Sequence, residues 1–319
     1  MLLSIIIPVY NVEKYIADTL DSILLQDSYP LDYELIIVND GTPDRSMDIV
    51  ERYKSQFPKL TILNEENQGL SCARNAGLKL AQGDYVWFID SDDTIPQNAF
   101  ELLAPSLNNI APEVLTFDIN KVEENTGRKI KEKIFFNYKY YQLYNRQHSG
   151  ITLNKKIHVG IVQRFIFQRD FLSKFQLSFT PNIIHEDIDF IVRTLLYSNR
   201  ILPIDKPCYN YLLRSHGSIM STFSIRSCTD RLKIIEQWEE LIKKQHLIKQ
   251  QKKLIEDNIF NICYGLAFSP QRQVPSYQQF LKTNRTYIRR RGITAASNSL
   301  SLYFSWGKIL KSFRLILSF

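Results

Sequence analysis

Residues 85–89 (YVWFI) are an unbroken apolar run that leads straight into Asp90-Ser91-Asp92-Asp93. A strand apolar on both faces must be covered on both faces, which is the situation of a central strand in a layered α/β sheet. The preceding residues agree with this. Short β-branched runs predict strands at 4–9, 33–38 and 60–64, and helical spacing predicts helices at 12–25, 46–55 and 71–81, the last closing toward Gly83. Such alternation is the signature of an α/β fold with a Rossmann-like, mostly parallel central sheet. It lines up the carboxyl ends of the strands along one crevice, where open α/β sheets bind ligands. Polar clusters stand at those ends: Tyr10-Asn11, Asn39-Asp40-Gly41 and the acids 90–93.

From about residue 110 to 225 the chain is less regular and richer in aromatics. Strands are predicted at 114–119 and 162–167 and a helix at 186–197, completing the sheet. Beyond residue 222 the pattern turns helical, with helices at 227–245, 249–268 and 277–291. The expected organisation is an α/β domain over 1–225, its first 110 residues binding ligand, and a helical region over 226–319.

With 319 residues, 44% of them hydrophobic, the chain has ample material for a large core, which excludes a disordered protein. The 40 basic residues outnumber the 33 acidic ones by seven, and the excess gathers late, in Arg289-Arg290-Arg291, Lys308, Lys311 and Arg314. Cys72, Cys208, Cys228 and Cys263 form no Cys-x-x-Cys or Cys/His pair, so neither a zinc site nor a disulfide framework is indicated, and cytoplasmic thiols are expected. The apolar start lacks a basic region and is interrupted by Pro8, unlike a signal peptide. No run of about 18 or more apolar residues occurs to span a membrane. In the tail 300–319, Trp306, Ile309, Leu310, Phe313 and Leu317 oppose Lys308, Lys311 and Arg314 on a helix. Such a helix either lies peripherally in an anionic membrane surface or packs on the protein with a solvated basic face.

Three carboxylates in the 90–93 turn repel one another and call for a cation. Oxygen ligands suit Mg²⁺ or Mn²⁺, which commonly take one or two carboxylates plus substrate phosphates. The alternative is an acidic turn that caps the following helix. Residues 67–77 (NQGLSCARNAG) place a glycine turn at a helix start with Arg74 in its first turns, a pairing that favours phosphate oxygens. His185-Glu186-Asp187 opens the predicted 186–197 helix with acids in its first turn.

In order and spacing, residues 4–11 (SIIIPVYN), 37–44 (IVNDGTPD), 67–77 and 88–93 (FIDSDD) resemble the family-2 glycosyltransferases of GT-A fold, bacterial members included. The resemblance implies that Pro8, Tyr10 and Asp40 line the nucleobase and ribose pocket, that Arg74 helps position the donor, and that Asp92 binds a metal bridging the diphosphate. Asp90 and Asp93 stand where they would assist ribose, sugar or metal. Relatives usually carry two acids before the glycine, where this chain has Asn39 and Asp40. Asp187 matches the aspartate that serves as general base in an inverting transfer, with Glu186 orienting acceptor or base. Residues 211–219 (YLLRSHGSI) match a loop over the donor in which Arg214 touches diphosphate and His216 completes the metal shell. Neither the Gln-x-x-Arg-Trp segment nor the membrane helices of processive relatives is present, so a single-sugar transfer is expected. The resemblance further implies a UDP-sugar donor and a saccharide or lipid-linked acceptor in surface polysaccharide synthesis.

Rival readings are weaker. A Rossmann oxidoreductase would carry Gly-x-Gly-x-x-Gly after its first strand, where Pro8-Val9-Tyr10-Asn11 stands. A nucleic-acid binder would need a basic groove with aromatic stacking positions, which the front half lacks. A nucleotidyltransferase would attack phosphorus rather than sugar carbon. A non-catalytic relative that binds carbohydrate or nucleotide would have less reason to keep both Asp92 and Asp187.

Overall fold

A computed structural model describes residues 1–26, 31–215 and 224–299. Of the segments named above, residues 216–219 with His216 and the tail 300–319 lie outside the described residues. The chain divides into two compact units, one of Met1–Asn182 with Glu186–Ser218, the other of Ile183–His185 with Ile219–Phe319.

The first unit carries strands β1 (Leu2–Val9), β2 (Asp32–Asp40), β3 (Leu60–Glu65), β4 (Tyr85–Phe88), β5 (Val114–Glu123), β6 (Lys129–Glu132), β7 (Phe165–Gln168) and β8 (Ile201–Leu213). Its helices are α1 (Ile16–Leu24), α2 (Ser46–Tyr53), α3 (Leu70–Leu80), α4 (Ala99–Pro105), α5 (Gly150–Leu153), α6 (Arg169–Lys174) and α7 (Glu186–Tyr197). The strands form one eight-stranded sheet in the order β3-β2-β1-β4-β7-β5-β6, with β8 paired to β5. β1, β2, β3 and β4 pair in parallel, as do β5 and β8, whereas β7 runs antiparallel to β4 and β5, and β6 antiparallel to β5.

The period of two along β1 sorts its side chains between two layers. Leu3, Ile5, Ile7 and Val9 share a core with Ile16, Leu20 and Ile23 of α1 and Phe100 and Leu103 of α4. Ile6 points the other way, where a β-carbon on Gly77 of α3 would stand 2.4 Å from its Cγ2. Phe88 of β4 shares that second face with Phe179 at 4.9 Å and Phe190 of α7 at 6.1 Å between ring centroids. Pro8 lies beyond the last β1–β4 pair, Ile6 with Phe88, so its missing N–H breaks no bond to β4.

Several elements differ from the sequence expectation. The first helix starts at Ile16 rather than 12, because Asn11 takes a positive φ of 55° and the next amides are drawn away. Val12 N–H donates to Ser46 Oγ at 3.1 Å and Glu13 N–H to Asp44 Oδ2 at 2.8 Å, tying this turn to the one before α2. The expected strand 162–167 begins instead with a 3-10 turn, Val162–Arg164. There the buried Arg164 guanidinium binds Glu132 and the carbonyl of Phe117, and the Gln163 carbonyl accepts the Trp87 indole N–H at 2.7 Å. Residues 129–132 and 201–213 carry strands that the sequence did not announce. Pro203, Asp205 and Pro207 disguise β8, which follows β5 through register shifts beside Asp118.

The second unit carries α8 (Ile225–Lys244), α9 (Lys249–Ala267) and α10 (Pro275–Ser299). Ile234, Ile235, Trp238, Ile255, Ile259, Cys263 and Leu266 are buried. Arg291 pairs with Glu239 and Glu256 inside this unit. Ile184 N–H donates to Asp230 Oδ2 at 3.0 Å, and His185 Nε2 lies 2.6 Å from Ser227 Oγ. His185 thus serves packing, and burial pushes its pKa down to about 4. Among the described residues no helix is long and apolar enough to cross a membrane.

Candidate active site

β4 ends at Phe88 and the chain turns, Asp93 N–H donating to the Asp90 carbonyl at 3.1 Å. Carboxylate oxygens of Asp90, Asp92 and Asp93 come within 4.8 Å of one another. Their partners distinguish them. Asp90 accepts from Arg74 Nη2 at 2.7 Å on one oxygen and from Gln163 Nε2 at 2.5 Å on the other. Asp93, 2% exposed, accepts from the Tyr209 hydroxyl at 2.6 Å and from Leu212 N–H at 2.7 Å, so both its oxygens are turned to β8. Asp92 meets Arg214 Nη2 at 2.5 Å.

The electrostatics follow. Burial, and then repulsion from Asp90, pushes the pKa of Asp92 up to about 6. Burial and the charges of Asp92 and Asp90 hold Asp93 well above the usual carboxylate range, and burial with Asp93 does the same to the Tyr209 phenol. A cluster that holds protons this firmly is short of positive charge. Oxygen donors in this arrangement fit a hard divalent cation, and Asp92 meets a single partner, Arg214, where Asp90 and Asp93 each meet two.

Arg74, 2% exposed, is the second centre of the site. Beside its bond to Asp90, its Nη1 donates to Glu186 Oε1 at 2.7 Å. Its guanidinium also lies 5.2 Å from the Phe179 ring centroid. Burial weakens its hold on the proton, but the Asp90 and Glu186 carboxylates more than reverse that and its pKa is raised. One residue on, Asn75 closes a pair of bonds with the backbone of Phe179, both at 2.8 Å. α3 thereby fixes the segment leading toward α7 as well as the acidic turn.

Asp187 lies in the first turn of α7, its Oδ1 accepting the N–H of Ile188 at 2.8 Å. Burial, then the adjacent Glu186 charge, pushes its pKa up to about 8, and Arg74 opposes them. At the far edge, Asp40 accepts from the amides of Gln68 at 2.7 Å and Gly69 at 3.0 Å, which holds the turn that feeds α3. Gly69 has a φ of 87°, a conformation costly for other residues. Tyr10, 48% exposed, and the buried Pro8 stand at the same end of the sheet.

The structure thus links Arg74, Asp90, Glu186, Asp187, Asp92, Asp93 and Arg214 through direct bonds or shared charge, and sets Pro8, Tyr10 and Asp40 on the strand ends beside them. The two Nη atoms of Arg74 each hold a carboxylate, Glu186 and Asp90. Gln163 and Tyr209 were missed by sequence reasoning, and nothing in their local sequence marks them.

Comparison with known proteins agrees with this architecture. The model of glycosyl transferase family 2 matches residues 4–175. The uncharacterized glycosyltransferase EpsJ of Bacillus subtilis is 30% identical over 214 residues, 66% of this chain and 60% of its own length. The poly(ribitol-phosphate) β-N-acetylglucosaminyltransferase TarS of Staphylococcus aureus is 28% identical over 225 residues, 70% of this chain and 37% of its own. The chain therefore matches less than two thirds of the length of these relatives. The crystal structure of TarS 1–349 with UDP-GlcNAc superposes with a TM-score of 0.73 at 23% identity, covering 100% of this chain and 91% of that one. A mannosyltransferase of Pyrobaculum calidifontis in complex with GDP-Man and Mn²⁺ gives a TM-score of 0.56 at 17% identity, covering 99% and 86%.

Proposed function

Because the chain belongs to glycosyl transferase family 2, we propose that it is an inverting, metal-dependent glycosyltransferase that moves one sugar from a UDP-sugar to a hydroxyl of a saccharide or lipid-linked acceptor in surface polysaccharide synthesis. The observation that carries the reading is the Arg74 bridge, a buried guanidinium joining the acidic turn to the Glu186-Asp187 pair. It keeps a proton-accepting carboxylate and the carboxylates of a cation site in one charge network.

In this reading Tyr10 and Asp40 meet the nucleobase and ribose, and Pro8 shapes the strand end beneath them. Asp92, assisted by the 90–93 turn, would hold Mn²⁺ or Mg²⁺, which would supply positive charge to the departing nucleoside diphosphate. Arg214 adds a second positive group to that diphosphate. Asp187 takes the proton of the attacking acceptor hydroxyl as it bonds to the anomeric carbon, opposite the leaving group. A carboxylate with a pKa near 8 binds a proton more strongly than an ordinary aspartate, which suits a base working close to neutral pH. Glu186, oriented by Arg74, keeps the start of α7 in place. The TarS complexes with UDP-GlcNAc and UDP support a uridine donor by analogy.

The test is to incubate the protein with Mn²⁺ and a panel of nucleotide sugars and to follow nucleoside diphosphate release. Wild type should cleave one donor slowly without acceptor. Asp92→Ala should lose metal-dependent binding, and Asp187→Asn should bind the donor with turnover lower by about 10²–10⁴-fold. Binding without turnover in the wild type, with any metal and acceptor, would replace the enzyme by a nucleotide-binding relative. Release of pyrophosphate would replace it by a nucleotidyltransferase.

A further inference from the structure

Arg214 is held from three sides by groups outside the motif that contains it. On its N-terminal side, Leu212 N–H is bonded to Asp93 at 2.7 Å. On its C-terminal side, Ser215 donates both its N–H and its hydroxyl to Glu124 Oε2, each at 2.7 Å. The N–H of Glu124 returns a bond to the Leu213 carbonyl at 3.2 Å, so the residues after β5 and β8 stay laced together. The other oxygen of Glu124 accepts the Tyr15 hydroxyl at 2.8 Å. That tyrosine, just before α1, presents its ring to the Arg214 guanidinium at 4.3 Å from the centroid. The result is a closed circuit, Glu124 to Tyr15 to Arg214 to Ser215 and back, with Asp92 paired to Arg214 Nη2.

The circuit has an economical physical logic. An arginine side chain is rich in rotamer freedom, and a long flexible cation serves a diphosphate best when that freedom is already removed. Here the ring of Tyr15 supports the planar group from its face, and Glu124 fixes both the ring and the backbone beside Arg214. The guanidinium has five N–H donors, so donor capacity remains after the bond to Asp92. Ser215 and Tyr15 also keep Glu124 ionised, holding its pKa down at about 2.

We infer that Glu124 and Tyr15 are positioning residues for Arg214, clamping its guanidinium beside Asp92 in a pose ready for a diphosphate. Only the nature of the ligand rests on the function proposed above; the clamp itself is read from bonds within this chain.

Two measurements on the full chain test it. The first is limited trypsin cleavage at the Arg214–Ser215 bond, which needs no ligand. Glu124→Ala and Tyr15→Phe should speed this cleavage about tenfold, with melting temperatures near that of wild type. Tyr15→Phe keeps the ring and loses only the hydroxyl, so it carries the test if Glu124→Ala folds poorly. The second is calorimetric affinity for UDP with Mn²⁺, expected to weaken about tenfold in either variant, as for one lost charge-assisted hydrogen bond. In an Arg214→Ala background, Glu124→Ala should add less than about twofold, because its effect passes through the arginine. Unchanged cleavage in both variants overturns the clamp, and so does an undiminished Glu124→Ala effect in the Arg214→Ala background. Failure of wild type to bind UDP would instead count against the uridine donor, and the cleavage rates would still decide the clamp.

Discussion

Asp187 and Arg74 show how a residue's chemistry is set by neighbours distant in sequence. Asp187 has a raised pKa because burial and Glu186 disfavour its charged form, while Arg74 favours it. In the proposed role of base it must be deprotonated, so kcat/KM should rise with pH along a limb centred near 8, measured with saturating metal. Arg74→Lys leaves one ammonium where a fork bridged two carboxylates. Its expected effect is a limb moved to higher pH and a turnover lower by about tenfold or more. The same shift has a stability consequence of definite sign. An unfolded Asp187 ionises near pH 3.8 and the folded one near 8. Between these values the folded state binds the extra proton, so this group's contribution to stability is full below pH 4 and is lost as pH rises toward 8. Asp187→Asn should therefore gain stability over wild type progressively from pH 4 to 8 in urea titrations, and a constant difference would contradict the raised pKa.

Among the elements, α3 does the most for the site. Arg74 reaches the acidic turn and α7, Asn75 pins the backbone of Phe179, and Gly77 lets the helix lie against β1. Gly77→Ala would put a methyl 2.4 Å from Ile6 Cγ2, inside a β-strand core that cannot yield easily. We expect a loss of about 1–3 kcal/mol in urea unfolding. Were the variant as stable as wild type, the close approach of α3 to β1 would not matter energetically. The motif over residues 67–77 was visible in the sequence, but the reason for each residue was not, because every partner named here lies on another element. β8 was illegible for a different reason. Its two prolines and its charged 205–206 pair contradict a strand pattern, and only pairing along the length of β5 overrides them.

At the scale of the molecule, the site is a concentration of acid at the carboxyl edge of one sheet in a chain of net charge +7. Asp90, Asp92, Asp93, Glu186 and Asp187 face Arg74 and Arg214, and the carboxylates are in excess. A divalent cation with a diphosphate should bind the folded chain alone and stabilise it. At a hundredfold excess over Kd the gain is about 2.7 kcal/mol, or roughly 5–10 °C in melting temperature. Mn²⁺ with UDP should give such a shift by scanning calorimetry, EDTA should abolish it, and Asp92→Asn should not show it. An equal shift in Asp92→Asn would move the cation to another carboxylate. The first unit contains this whole site, and the second is a helical unit with its own buried ion pairs around Arg291.

Local pattern by itself determined the order of strands and helices in the first ninety residues, the buried character of β4, the acids at its end and the helix opening at Glu186. These follow from periodicities of 2 and 3.6 and from short contiguous motifs, which are properties of neighbouring residues. Tertiary structure alone decided which partners each carboxylate meets. Asp90 accepts from Arg74 and Gln163, Asp93 from Tyr209 and Leu212, and Arg214 lies over the ring of Tyr15, whose hydroxyl bonds Glu124. Each of those partners comes from a segment remote in sequence, and hydrogen bonds and charge act over a few ångströms whatever the length of chain between them.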